Sequence, residues 1–127
     1  MNTGRWGEFL AAGYLFFHGC RILERNYRFG RYEIDVVARE RRSGVLVFAE
    51  VKTRSSTFHG LPRDAVDTKK QLFLTRAAQG YLKEHRIPDA PTRFDVVEVY
   101  TKPLRVVHIP SAFETVFAGS MHIVNPF

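Results

Sequence analysis

Two short apolar stretches of the chain carry residues that could do phosphodiester chemistry if brought together. Asp35 lies in Tyr32-Glu33-Ile34-Asp35-Val36-Val37-Ala38, and Glu50 and Lys52 lie in Phe48-Ala49-Glu50-Val51-Lys52-Thr53-Arg54. Two carboxylates converging at one point make a hard oxygen site suited to Mg²⁺ or Mn²⁺. A cation held there can polarise a phosphodiester oxygen and lower the pKa of a bound water. An adjacent ammonium can position or activate that water, or neutralise the charge that grows on the phosphorane. The competing reading is an ion-pair cluster or a charged face open to solvent, because short motifs recur by accident. The run Val45-Leu46-Val47-Phe48 before Glu50 favours chemistry. It reads as a buried central strand, where a carboxylate rarely stands without a partner or a metal.

The elements that would position these groups follow from period-two alternation. In a strand over Val45–Thr53, Leu46, Phe48, Glu50 and Lys52 point one way and Val45, Val47, Ala49 and Val51 the other. In a strand over Tyr32–Arg39, Glu33, Asp35 and Val37 share a face. If a hairpin with an even-numbered loop joins the two, odd positions oppose even ones and Asp35 joins Glu50 and Lys52; an odd loop or a bulge breaks this parity. Glu33 is a second-choice ligand on the same face.

Around this hairpin the pattern predicts α-β-β-β-α-β-β. Trp6, Phe9, Leu10, Gly13, Tyr14 and Phe17 recur at helical spacing over Asn2–Gly19, with Gly19 placed as a C-terminal glycine. Arg21–Tyr27 reads as a strand and Phe29-Gly30-Arg31 as a turn. After a loop over Arg54–Pro62, Arg63–His85 reads as a long helix with Val66, Leu72, Phe73, Ala77, Tyr81 and Leu82 on its apolar side. Strands are expected over Arg93–Tyr100 and Leu104–Ile109. In the tail Ser111–Phe127, the spacing of Ala112, Phe113, Val116 and Phe117 predicts a short docked helix. The expectation is an α/β fold, one domain over residues 1–127, with a mixed sheet of about five strands flanked by the two long helices.

Composition sets the outer bounds. A chain of 127 residues, 45% hydrophobic and 25% charged, fits one globular domain able to bury a core without staples. A single cysteine, Cys20, excludes an intrachain disulfide and reads as a small buried hydrophobe. The apolar run Phe9–Phe17 is too short to span a bilayer, and no secretory signal is visible, so a cytoplasmic location without membrane association is expected. The formal net charge of +6 favours polyanionic partners. A lipid-surface role is disfavoured because no amphipathic helix concentrates Lys and Arg opposite an apolar face.

The Glu-Ile-Asp and Glu-Val-Lys stretches together resemble the signature of the PD-(D/E)XK, or restriction-endonuclease-like, superfamily. More narrowly, the chain resembles the YraN-like family of small bacterial proteins. Gly7-Glu8, Arg25-Asn26-Tyr27-Arg28, Lys69-Lys70-Gln71, Arg93-Phe94-Asp95-Val96-Val97 and Ala112-Phe113 support this, and the resemblance covers Gly4 to about Phe113. It implies a restriction-endonuclease-like fold and a metal site of Asp35 and Glu50, with Lys52 as the catalytic lysine and Glu8 as a helix-borne acid linked to the metal. It also implies an endonuclease acting on structured or branched DNA, in preference to RNA, and a homodimer, since related small members resolve Holliday junctions as dimers. The alternative is a non-catalytic module of the same fold that grips nucleic acid or a protein. One departure is Tyr32, where the family usually has glycine.

Further basic residues are candidates for phosphate contacts: Lys69, Lys70 and Arg76 on the second long helix, Arg54 after the Glu-Val-Lys stretch, and Arg25 and Arg28 with Arg21 and Arg31 around the first strand. Tyr27 and Phe29 interleave with the last group, which suits backbone tracking plus base stacking, although core aromatics with a basic outer face explain the pattern as well. The five histidines show no paired metal spacing, and only His59 invites a test.

Overall fold

The computed structural model describes residues 3–55 and 67–114. Its elements are α1 (Thr3–Phe17), β1 (Cys20–Phe29), β2 (Tyr32–Glu40), β3 (Leu46–Arg54), α2 (Thr68–Glu84), β4 (Thr92–Thr101) and β5 (Leu104–Phe113). The five strands form one sheet in the order β1-β2-β3-β4-β5. The β3–β4 pair is parallel and the other pairs are antiparallel. α2 lies in the crossover that a parallel pair requires. The expected α/β architecture and element order are present. No described helix is long and apolar enough to cross a membrane.

Each helix covers one face of the sheet. Ala11, Ala12 and Leu15 of α1 pack on Cys20, Val36, Ala38, Val47, Ala49, Val97 and Val99. Leu74, Ala77, Ala78 and Tyr81 of α2 pack on Tyr27, Ile34, Val37, Leu46, Phe48, Phe94 and Val96. Two glycines set the helix heights. A Cβ on Gly7 would collide with the Thr53 side chain, and one on Gly80 with the Phe29 ring. Only a residue without a side chain permits either approach.

One expectation is corrected. Ser111, Ala112 and Phe113 do not begin a helix; they end β5, where Phe113 stacks on Phe94 with ring centroids 4.7 Å apart. Pairing with β4 overrides the weak helical spacing. The described part of α2 starts at Thr68, because Asp67 has extended backbone angles and caps the helix by accepting from the Lys70 N–H at 2.8 Å. The expected start at Arg63, the Val66 position, His59 and the tail after Glu114 lie outside the described residues.

Candidate active site

The loop between β2 and β3 settles the parity. The Glu40 N–H donates to the Val45 carbonyl at 2.9 Å, closing a four-residue loop whose last member, Gly44, takes a φ of 78°. The ladder then runs Arg39↔Leu46, Ala38↔Val47, Val37↔Phe48 and Val36↔Ala49. Carried one step further, this register sets Asp35 opposite Glu50.

At that step the strands part. β3 continues in register with β4 as far as Arg54↔Tyr100, while the β2–β3 ladder stops at Val36↔Ala49. The freed Val51 N–H donates instead to Asp35 Oδ2 at 2.8 Å. Alternation also fails here. Ile34 packs on the α2 side and Val36 on the α1 side, although residues two apart should share a face. The strand turns over at Asp35, next to Asn26 of β1, which takes a left-handed φ of 53°. The Asp35 carboxylate therefore occupies the mouth of a fork between β2 and β3.

The charges at the fork are unbalanced. Burial pushes the Asp35 carboxyl up to about 7, and the charge of Glu50 adds to the rise, as do Glu8 and Glu33; the Val51 N–H works against it. Burial also raises Glu50, although Lys70, Lys52 and Asp35 offset part of that. Two carboxyls crowded in this way hold a proton between them unless a cation replaces it. A hard divalent cation suits this donor set, with water and substrate oxygens completing its shell. Among the described residues no cluster of three or more Asp, Glu, His or Cys is placed to hold a metal.

The other expected residues sort into three groups. Lys52 lies two residues along β3 from Glu50, half-buried and acting on it through charge. Lys70, from the first turn of α2, also faces Glu50, with Nζ 3.7 Å from Oε2. Glu8 and Glu33 stand behind Asp35, both accepting from Asn26 Nδ2, at 2.9 and 3.4 Å, and Glu33 pairs with Arg28 at 3.6 Å. Arg25 sits over the Phe9 ring at 5.9 Å. Arg54 reaches the wholly buried Glu98, Nε to Oε2 at 3.4 Å, so it supports the sheet beside the site. Lys69 is exposed. Tyr27 is a core residue and Phe29 is half-buried against α2.

Sequence reasoning missed Asn26, the role of Lys70 at Glu50, and Glu98, which accepts from the Tyr100 hydroxyl at 2.9 Å and lies in register with Lys52. A lone carboxylate in the apolar run Val96-Val97-Glu98-Val99 was the available signal for the last.

The chain matches the model of the uncharacterised protein family UPF0102 over residues 7–99. A UPF0102 protein of Syntrophotalea carbinolica is 47% identical over 116 residues, covering 90% of this chain and 93% of the relative. One from Chlorobium phaeobacteroides is 42% identical over 122 residues, covering 90% and 95%. One from Clostridioides difficile is 39% identical over 112 residues, covering 88% and 96%.

Proposed function

The chain belongs to the uncharacterised protein family UPF0102, and from that premise we propose that it is a metal-dependent nuclease, an endonuclease acting on structured DNA. The observation that carries this reading is the fork itself. The sheet gives up β2–β3 pairing to bring Asp35 and Glu50 together, and two lysines face the same point.

Asp35 and Glu50 would hold Mg²⁺ or Mn²⁺, which when bound supplies charge to the phosphodiester and an acidified water. Asp35 is held in place by the Val51 N–H, so its carboxylate needs little reorganisation to bind. Lys52, on β3 two residues from Glu50, would orient the attacking water or meet the charge developing on phosphorus. Lys70, exposed on its flexible stem, neutralises Glu50 in the metal-free protein and is free to move to a phosphate oxygen when a cation takes over that task.

The test is cleavage of branched, flapped, single-stranded and linear DNA with Mg²⁺ or Mn²⁺. Asp35→Asn and Glu50→Gln should abolish cutting and leave metal-free binding intact or tighter, since each removes a negative charge that repels phosphate. Lys52→Ala should lower kcat more than it raises KM, because it acts in the transition state. Binding without any cutting, together with no divalent cation detected by calorimetry, would leave a gripping module of the same fold.

A further inference from the structure

Resting on the nucleic-acid side of that reading, we infer that Tyr32 and Phe73 form a stacking platform for one unpaired nucleobase beside the Asp35–Glu50 fork. Tyr32 opens β2 at the tip of the β1–β2 hairpin, and Phe73 lies one turn into α2. Their ring centroids are 5.2 Å apart at 46°. Both rings are half-buried, and Tyr32 packs on the core beneath, so the pair is supported from below and keeps part of its surface exposed. Such a pair loses little conformational freedom when a base lands on it.

Cations flank the rings. The Arg31 guanidinium lies 5.8 Å from the Tyr32 centroid, and Lys69 Nζ lies 5.8 Å from the Phe73 centroid. Both side chains belong to exposed residues, so they can leave the ring faces and follow a phosphate. Aromatic faces bordered by Arg and Lys suit a single strand, because every base has a π-face and every linkage a charge. A paired base in a duplex keeps its faces stacked on its neighbours and has none to offer.

The position ties this surface to the fork. Phe73 follows Lys70 by three residues on the same flank of α2, and Lys70 contacts Glu50. Tyr32 precedes Asp35 by three residues, roughly 10 Å along a strand at about 3.3 Å per residue. A base on the platform would therefore hold a phosphate of the same strand near the carboxylate pair. This predicts a preference for substrates with an unpaired nucleotide at the cut, such as flaps, frayed ends or branch points.

The experiment measures binding of a fluorescent single-stranded oligonucleotide and of its linear duplex in EDTA, using wild type, Tyr32→Leu, Tyr32→Phe and Phe73→Leu. A 2-aminopurine in the single strand reports stacking directly. The expected result is a loss of about tenfold in single-strand affinity for each leucine variant, with weaker 2-aminopurine quenching. Tyr32→Phe should bind as wild type, and duplex affinity should not change. Thermal melts show that each variant is folded. Unchanged single-strand affinity and quenching in the leucine variants would overturn the platform, as would an equal loss for duplex. Because no metal is present, an absence of cleavage bears on the nuclease reading alone and leaves this result standing on its own.

Discussion

Replacing Asp35 by Asn should stabilise the metal-free protein, and by an amount that depends on pH. The folded protein carries the Asp35 carboxyl from an ordinary 3.8 to about 7, through burial first and the Glu50 charge second. Three pH units at about 1.4 kcal/mol each put the ceiling near 4 kcal/mol. Asp35 titrates together with Glu50, so that ceiling belongs to the pair and the gain from changing Asp35 alone lies below it, on the order of 2 kcal/mol. For a chain of this length, 2 kcal/mol moves Tm by roughly 6–10 °C. The sign follows from linkage. Between about pH 4 and pH 7 the folded state keeps a proton that the unfolded chain has lost, so wild-type stability falls as pH rises through that window. Asn is neutral throughout and can still accept from the Val51 N–H. The variant should thus match wild type near pH 4, gain steadily towards pH 7, and hold its full advantage at pH 8.5. Added Mn²⁺ should close the gap at pH 8.5 by stabilising wild type alone. Thermal melts by circular dichroism across pH 4–8.5, with and without Mn²⁺, make the measurement. Equal melting temperatures at pH 8.5, or a gap of the same size at every pH, would refute the claim that crowded carboxylates are held there at a cost.

Three further outcomes follow from particular contacts. Gly80→Ala should destabilise by about 2 kcal/mol, measured by urea unfolding, because its Cβ would meet the Phe29 ring in a packed layer. Asp95→Asn should cost about 3 kcal/mol at pH 7, since the wholly buried Asp95 receives Arg93 Nε at 2.9 Å, Arg93 Nη2 at 3.0 Å, the Ser111 N–H at 3.0 Å and His108 at 2.7 Å. Burial alone would raise Asp95, but these bonds outweigh it and hold it low, so the wild-type advantage is present above pH 4 and lost as acid protonates the folded carboxylate. Metal-free single-strand binding should weaken with salt at a log–log slope of roughly −1.4, as expected for Lys69 and Arg31 acting on two phosphates at about 0.7 each; a flat salt response would count against a nucleic-acid role.

The sheet was legible because its strands are coded twice, by period-two burial and by turn residues. Val45–Thr53 shows both, and its observed bounds differ by one residue at each end. The register of Asp35 against Glu50 was legible only as a condition on loop length, which the Glu40–Val45 closure then met. The end of β5 was not legible. Ser111 carries a positive φ of 52° and its N–H bonds to Asp95, a tertiary contact that local spacing does not encode. The stretch Arg93-Phe94-Asp95 drew attention as part of a resemblance, and its role is now physical. Arg93 joins Asp95 of β4 to Glu40 at the end of β2, while His108 and Ser111 bring in β5.

Several departures from regular structure fall together at one place. The β2–β3 ladder ends, the strand turns over, Asn26 adopts a left-handed backbone, and burial and the Glu50 charge raise a carboxyl above its ordinary value, all within a few residues of Asp35. Any one of these alone would be a local accident of packing. Together they have a common effect, which is to open a gap in the sheet and fill it with oxygen donors in place of backbone pairs. A structural ion-pair network would be built the other way, as it is around Asp95, where bonds from His108, Arg93 and Ser111 lower a buried carboxylate despite its burial. Among the described residues, bonds to His108, Arg93 and the Ser111 N–H outweigh burial at Asp95, whereas at Asp35 burial and the Glu50 charge outweigh the Val51 N–H, although both sit on strands of the same sheet. Stability alone favours the first arrangement, and that contrast is the physical argument behind reading the fork as the proposed binding site.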